Sequence, residues 1–121
     1  MSKEVLLATS NRGKIKEFKR LLGSKIQLHT PDKSLTVEEN GTSYYENALT
    51  KAVHYFRAFQ VPVLADDSGV EVDCLKGKPG VDSAILGGEN LSWAERWTVL
   101  LKEIRNTGAP QPWTARFRCI S

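Results

Sequence analysis

The sequence predicts an α/β fold, a sheet covered by helices, and three observations predict it. Short apolar runs such as Val5-Leu6-Leu7-Ala8 and Val63-Leu64-Ala65 have the length and composition of buried strands. Between the strands lie segments whose apolar residues recur every three or four positions, the period of a helix with one buried face. Strands and helices alternate along the chain, the order that places helices on the faces of a sheet. The 121 residues suit a single domain. A domain of this size buries roughly two-thirds of its unfolded surface, enough for a core.

The first strand is residues 5–8. "TSNRGK" then makes a turn, with Asn11 and Gly13 as its punctuation. A helix follows from about Lys14, with Ile15, Phe18, Leu21 and Leu22 at helical spacing and Gly23 as its stop. Ile26 and Leu28 alternate with polar neighbours, which predicts a second strand. Residues 31–41 are polar and irregular. Ser43 and Glu46 have the spacing of a capping box. The helix they open is expected to bury Ala48, Leu49, Ala52, Phe56 and Phe59, and Pro62 bounds it. The apolar run 63–65 stops at Asp66-Asp67, a Ser-Gly turn is expected, and alternation resumes at Val70 and Val72. "KGKPG" reads as another turn. Ser92 and Glu95 form a second capping-box pattern ahead of a helix expected to bury Trp97, Leu100, Leu101 and Ile104. That helix should stop near Gly108, with Pro110 beyond it. In a last strand Trp113, Ala115, Phe117 and Cys119 alternate with Thr114, Arg116 and Arg118. There are no internal repeats and no low-complexity linker.

Several function classes drop out. No stretch approaches the ~20 apolar residues of a membrane span. The N-terminus has no signal-peptide pattern, since Glu4 precedes a run too short for one. Cys74 and Cys119 are expected to be reduced thiols of a cytoplasmic protein. Neither lies in a CxxC, and His29 and His54 are isolated, so zinc is not expected. Charge is unevenly placed. Arg12, Lys14, Lys16, Lys19, Arg20 and Lys25 face only Glu17 in residues 12–25, while Asp66, Asp67, Glu71 and Asp73 fall together without a base. That asymmetry suits an anionic ligand carrying a metal; it equally suits a solvated basic helix face.

Strand side chains alternate, so Asp66 and Asp67 share one cleft only if the strand has ended, and Gly69 is expected to permit that turn. Two unit charges ~5 Å apart repel by about 3 kcal/mol at an effective dielectric of about 20. A divalent cation, solvation or protonation of one acid relieves this, and the C-terminal edge of a sheet is where α/β proteins bind ligands. A solvated turn in which Asp67 caps local backbone accounts for the pair equally well. Glu38-Glu39-Asn40 is a second acidic site in a loop. Oxygen ligands from two such segments hold Mg²⁺ when substrate phosphates complete the shell. "TSNRGK" precedes a helix N-terminus, where backbone N–H groups favour anions and Lys14 adds charge. It is not the GxxxxGK[ST] phosphate loop. Asn47 and Lys51 lie four apart on one helix face.

Taken together, "ATSNRGKIKEF", "ENGTSYYENALTKA" and "LADDSGVEVDCLKGKPGVDSA", in this order and spacing, resemble the inosine triphosphate pyrophosphatase family. The resemblance runs from about Val5 to Ile120, with "ARFRC" similar to the family's next strand. The nucleotide-binding septum-inhibitor family shares the architecture but lacks the ENAxxKA and ADDSG motifs. A receiver domain would place its acids after the first strand, and a haloacid-type phosphatase would want Asp-x-Asp. The resemblance implies a mixed central sheet flanked by helices in one domain spanning 1–121. It also implies Mg²⁺-dependent hydrolysis of non-standard purine nucleoside triphosphates to monophosphate and pyrophosphate, with no nucleic-acid polymer and no membrane as partner. The last strand carries Trp113 and Phe117 on one side and wants a covered face, so self-association as a homodimer is expected. Carried over from the family, Thr9, Ser10, Asn11 and Lys14 cradle the triphosphate, Lys51 neutralises it and Ser68 touches substrate. Glu39 binds metal, with Glu38 the adjacent candidate. Asp67 binds metal and acts as general base, and Asp66 supports the metal pair. Two departures stand out. Ile85 replaces the arginine usual after "SA", and nothing matches the family's later Gly- and aromatic-rich Tyr-Asp segment or its Ser-His-Arg motif, which read the base. The chain therefore resembles the family's N-terminal part. A remnant that binds phosphate or a protein partner without catalysis is the alternative.

Overall fold

A computed structural model describes residues 3–9, 11–33 and 35–121. They form two compact units: residues up to 67 with 120–121, and residues 68–119.

In the first unit, β1 (Lys3–Leu7) is the central strand of a parallel sheet in the order β2-β1-β3, with β2 (Ile26–His29) and β3 (Val63–Leu64). Parallel neighbours need crossovers, and α1 (Arg12–Leu22) and α2 (Tyr44–Phe59) supply them. Each helix starts where its cap dictates. Asn11 Oδ1 accepts from the Lys14 N–H at 3.1 Å, and Ser43 Oγ accepts from the Glu46 N–H at 3.1 Å. The return half of the capping box is displaced by one residue, because Glu46 Oε2 accepts from the Thr42 N–H. Gly23 ends α1 at φ 62°, with its N–H donating to Lys19 O. Leu6, Ala8, Tyr55 and Ala65 form the core, with Leu35, Val37, Ala52, Phe59 and Val63 packed around it. Each fully buried aliphatic or aromatic side chain of such a core stabilises by about 1.5–3 kcal/mol.

The second unit holds a sheet in the order β5-β4-β6, with β4 (Asp67–Val72), β5 (Lys78–Pro79) and β6 (Ala115–Ile120), and one long helix, α3 (Trp93–Asn106). β4 and β5 pair antiparallel. Arg116 meets Asp73 and Arg118 meets Glu71, so the ion pairs step in opposite directions along β6 and β4. Val72, Leu100 and Ile104 make the core, flanked by Val70, Cys74, Leu75, Leu86 and Trp113. Ser92 and Glu95 close a full capping box at the head of α3. Parallel pairing in one sheet and antiparallel pairing in the other give the mixed α/β architecture expected, distributed over two sheets. Cys74 and Cys119 are not joined in a disulfide. Among the described residues no helix is long and apolar enough to cross a membrane.

Three local expectations change. No Ser-Gly turn follows the acidic pair, because β4 already begins at Asp67. Gly69 lies inside that strand, and its value is the missing side chain: an added Cβ would stand 2.1 Å from the Gly80 carbonyl oxygen. The inward faces of the helices are also rotated. On α2, Tyr44, Asn47, Ala48 and Tyr55 are buried while Leu49 and Phe56 are exposed; on α3, Arg96 is buried while Trp97 and Leu101 are exposed. Leu21 of α1 is exposed as well. Apolar spacing placed these faces on the assumption that polar residues look outward, and three polar side chains, Asn47, Lys51 and Arg96, find partners inside instead.

Candidate active site

Leu7 pairs with Leu64 in β1 and β3, which run in the same direction. Thr9 and the Asp66-Asp67 pair therefore both emerge beyond the C-terminal ends of the parallel sheet. The strand stops at two carboxylates because both are received there by polar partners, a half-buried lysine and a buried amide. Asp66 is 0% exposed, and its Oδ2 lies 2.6 Å from Lys14 Nζ, which α1 projects from its first turn. A buried carboxylate needs such a cation, since its desolvation otherwise costs several kcal/mol. Asp67 is also buried, and its Oδ2 accepts from Asn47 Nδ2 at 3.2 Å.

Helix α2 carries the remaining contacts on one stripe, Asn47, Lys51 and Tyr55, each one turn above the last. Lys51 Nζ donates to the Asp66 carbonyl oxygen at 2.9 Å and pairs with Glu39 Oε1 at 2.7 Å. Asn47 Oδ1 accepts from the Gly41 N–H at 2.8 Å. Tyr55 OH accepts from the Leu35 N–H at 3.0 Å. The helix thus ties the loop at 35–41 to the turn at 66–67 through two adjacent side chains. A cleft of about 200 Å³ opens beside them, with Thr9, Glu39, Lys51 and Tyr55 as its polar lining.

Of the residues expected from sequence, Lys14, Lys51, Glu39, Asp66 and Asp67 are brought together by these contacts. Thr9 lines the cleft, and its Oγ1 accepts from the Asn11 N–H at 3.1 Å. Asn11 spends its side chain on the α1 cap. Glu38 is exposed at the surface, where Asn40 Nδ2 donates to it at 3.3 Å. Ser68 is half-buried on β4, and Ser10 lies outside the described residues. Asn47 and Gly41 were not expected to matter. The sequence signals for Asn47 were its spacing of four from Lys51 and its place in the ENAxxKA motif. Gly41 is required because a Cβ there would stand 2.7 Å from both Asn47 Oδ1 and Glu46 Cβ.

The donor set suits a hard cation. Glu39 and Asp67 offer carboxylate oxygens from separate segments, and Mg²⁺ is commonly held by one or two carboxylates plus water and phosphate. Among the described residues no three His, Cys, Asp or Glu side chains converge, so a cation here would depend on its substrate for further ligands.

Fold and site define the class: an α/β protein whose lysine-paired carboxylates stand beyond the C-terminal ends of a parallel sheet. The Ham1 family model matches residues 5–121, and the chain belongs to the Ham1 family. A dITP/XTP pyrophosphatase of Photobacterium profundum is 41% identical, aligned over 99% of this chain and 61% of its own length. One of Geobacillus kaustophilus is 43% identical over 97% of this chain and 59% of its own. Among solved structures, a HAM1 protein from Coxiella burnetii superposes with a TM-score of 0.81 at 33% identity, covering 97% of this chain and 60% of that one. The chain spans about three fifths of the length of the curated relatives it matches.

Proposed function

We propose that this chain is a nucleoside triphosphate pyrophosphatase that hydrolyses non-standard purine nucleoside triphosphates to the monophosphate and pyrophosphate with Mg²⁺. The observation that carries the reading is Asp67, held by the buried Asn47 amide between two lysine–carboxylate pairs, Lys14–Asp66 and Lys51–Glu39. The relatives' names supply the substrate class, dITP and XTP. Phosphoryl substitution needs positioning and charge neutralisation more than covalent help, and these residues provide both. Lys14 and Lys51 bring positive charge to the triphosphate. Lys51, with three donors on a flexible stem, can turn from Glu39 to a phosphate oxygen. Asp67 accepts a proton from the attacking water as the α–β phosphoanhydride bond breaks and pyrophosphate leaves. Mg²⁺ held by Glu39 and Asp67 would supply charge neutralisation on the phosphates; Asp66 and Glu38 are the neighbouring acids.

Cysteines that form no disulfide fit the expected cytoplasmic setting. A homodimer fits β6, an outer strand of its sheet whose Phe117 is 66% exposed. A second reading is phosphate or partner binding without catalysis, with the Lys14 and Lys51 ammonium groups as the anion contacts. Pyrophosphate release from inosine, xanthosine and guanosine triphosphates, with and without Mg²⁺, separates the two. Mg²⁺-dependent release is expected; no release from any of them, with triphosphate still bound, favours the second reading.

A further inference from the structure

We propose that Asn47 is a positioning residue that sets Asp67 against the Glu39 loop, and so fixes the geometry in which the two carboxylates receive a divalent cation. The nature of that cation rests on the pyrophosphatase reading above. The bridge itself rests on contacts alone.

Asn47 is 1% exposed. Its amide spends one end on each acid-bearing segment: Oδ1 on the Gly41 N–H at 2.8 Å, Nδ2 on Asp67 Oδ2 at 3.2 Å. Chemistry fixes which end is which. A backbone N–H only donates and a carboxylate only accepts, so the reversed amide would set donor against donor and acceptor against acceptor. No charged residue can replace it, since a lysine has no acceptor and a carboxylate no donor. The loop packs closely on the amide, since a Cβ on Gly41 would stand 2.7 Å from Asn47 Oδ1. One turn further on, Lys51 joins Glu39 to the Asp66 carbonyl. That link is a flexible side chain that its phosphate role requires to let go. Asn47 is the short, buried link that stays. Residues behind metal ligands typically govern metal affinity by about 10–100-fold.

The test uses the full chain with Mn²⁺ as the probe, in the presence of an equimolar non-hydrolysable triphosphate analogue whose phosphates complete the shell. Asn47→Leu keeps the volume and removes both hydrogen bonds; Gly41→Ala displaces the loop while leaving Asn47 intact. Ser43→Ala weakens the start of α2 through its cap without touching either bridge. Mn²⁺ affinity is read by titration calorimetry, with circular dichroism to confirm folding. Both bridge variants should lose about 10–100-fold in affinity, with Ser43→Ala at the parent value. A folded Asn47→Leu or Gly41→Ala that binds Mn²⁺ like the parent overturns the proposal, and so does an equal loss in Ser43→Ala. A second readout needs no metal: hydrogen exchange at the Gly41 amide and the carboxyl ¹³C shift of Asp67. Both should change in Asn47→Leu and stay put in Ser43→Ala, and an unchanged pair overturns the bridge. A parent that binds no Mn²⁺ while these signals do change refutes the pyrophosphatase reading and leaves the bridge standing.

Discussion

Helices α2 and α3 each bury polar side chains where apolar ones were expected, and those side chains serve different ends. On α2, Asn47 and Lys51 reach carboxylates and the loop that carries Glu39. On α3, Arg96 Nη1 donates to the carbonyl oxygens of Leu86 and Gly88, at 3.1 and 2.7 Å, and its guanidinium lies 5.7 Å from the Trp93 ring centre. Arg96 holds a loop to a helix; Asn47 and Lys51 hold carboxylates. A buried polar residue is therefore not by itself a sign of a site. The partners decide: carboxylates drawn from two segments on α2, backbone carbonyls of one neighbouring loop on α3.

The contrast breaks if the two sets of residues behave alike. Asp67→Asn should show the largest effect: loss of pyrophosphate release by about 10²–10⁴-fold, the usual worth of a general base, with the circular dichroism spectrum unchanged. Turnover at the parent rate would remove Asp67 from the mechanism. Next come the lysines. Lys14→Ala and Lys51→Ala should each weaken binding of a non-hydrolysable triphosphate analogue by about 1–3 kcal/mol while leaving nucleoside binding alone. Lys14→Ala should also lower the melting temperature, because it strands the buried Asp66. The loss should fall below the roughly 3–5 kcal/mol of a fully buried pair, since Lys14 keeps 23% exposure. Unchanged triphosphate affinity in Lys51→Ala would make α2 as structural as α3, and unchanged affinity in Lys14→Ala would take α1 out of the site.

Arg96→Leu sharpens the comparison from the other side. It leaves two carbonyls without their donor and should cost about 1–3 kcal/mol of stability in denaturant titration, with triphosphate affinity at the parent value. A drop in that affinity at full folding would put α3 into the site after all. The smallest effect is at the head of α3. Glu95 has its carboxyl held below the ordinary value by the Ser92 backbone N–H, then by the Ser92 hydroxyl, with the Arg96 charge adding to both. Its share of stability is therefore present above the ordinary carboxylate range and is lost as pH falls through the depressed value. Glu95→Gln should flatten that acid-side slope of thermal stability, and an unchanged slope would assign it to other carboxylates.

Local physics made much of the chain legible in advance. Asn11, Ser43 and Ser92 start helices because a side-chain oxygen answers an N–H three residues on, and Gly23 ends one because it adopts a positive φ without a Cβ clash. The acidic pair, the two lysines and the family follow from the order of short motifs, which is a property of the chain itself. Tertiary structure alone decided the rest. It chose Glu39 over Glu38 for the cleft by giving Glu39 the Lys51 ammonium, and it turned Asn47 inward by giving it Asp67, 20 residues away. It also made Gly69 a point of close approach to Gly80 where a turn had been expected. Hydrophobic periodicity records how many residues want to leave water. Which polar residues can follow them inside depends on partners that arrive from elsewhere in the chain, and only the fold brings those partners within hydrogen-bonding distance.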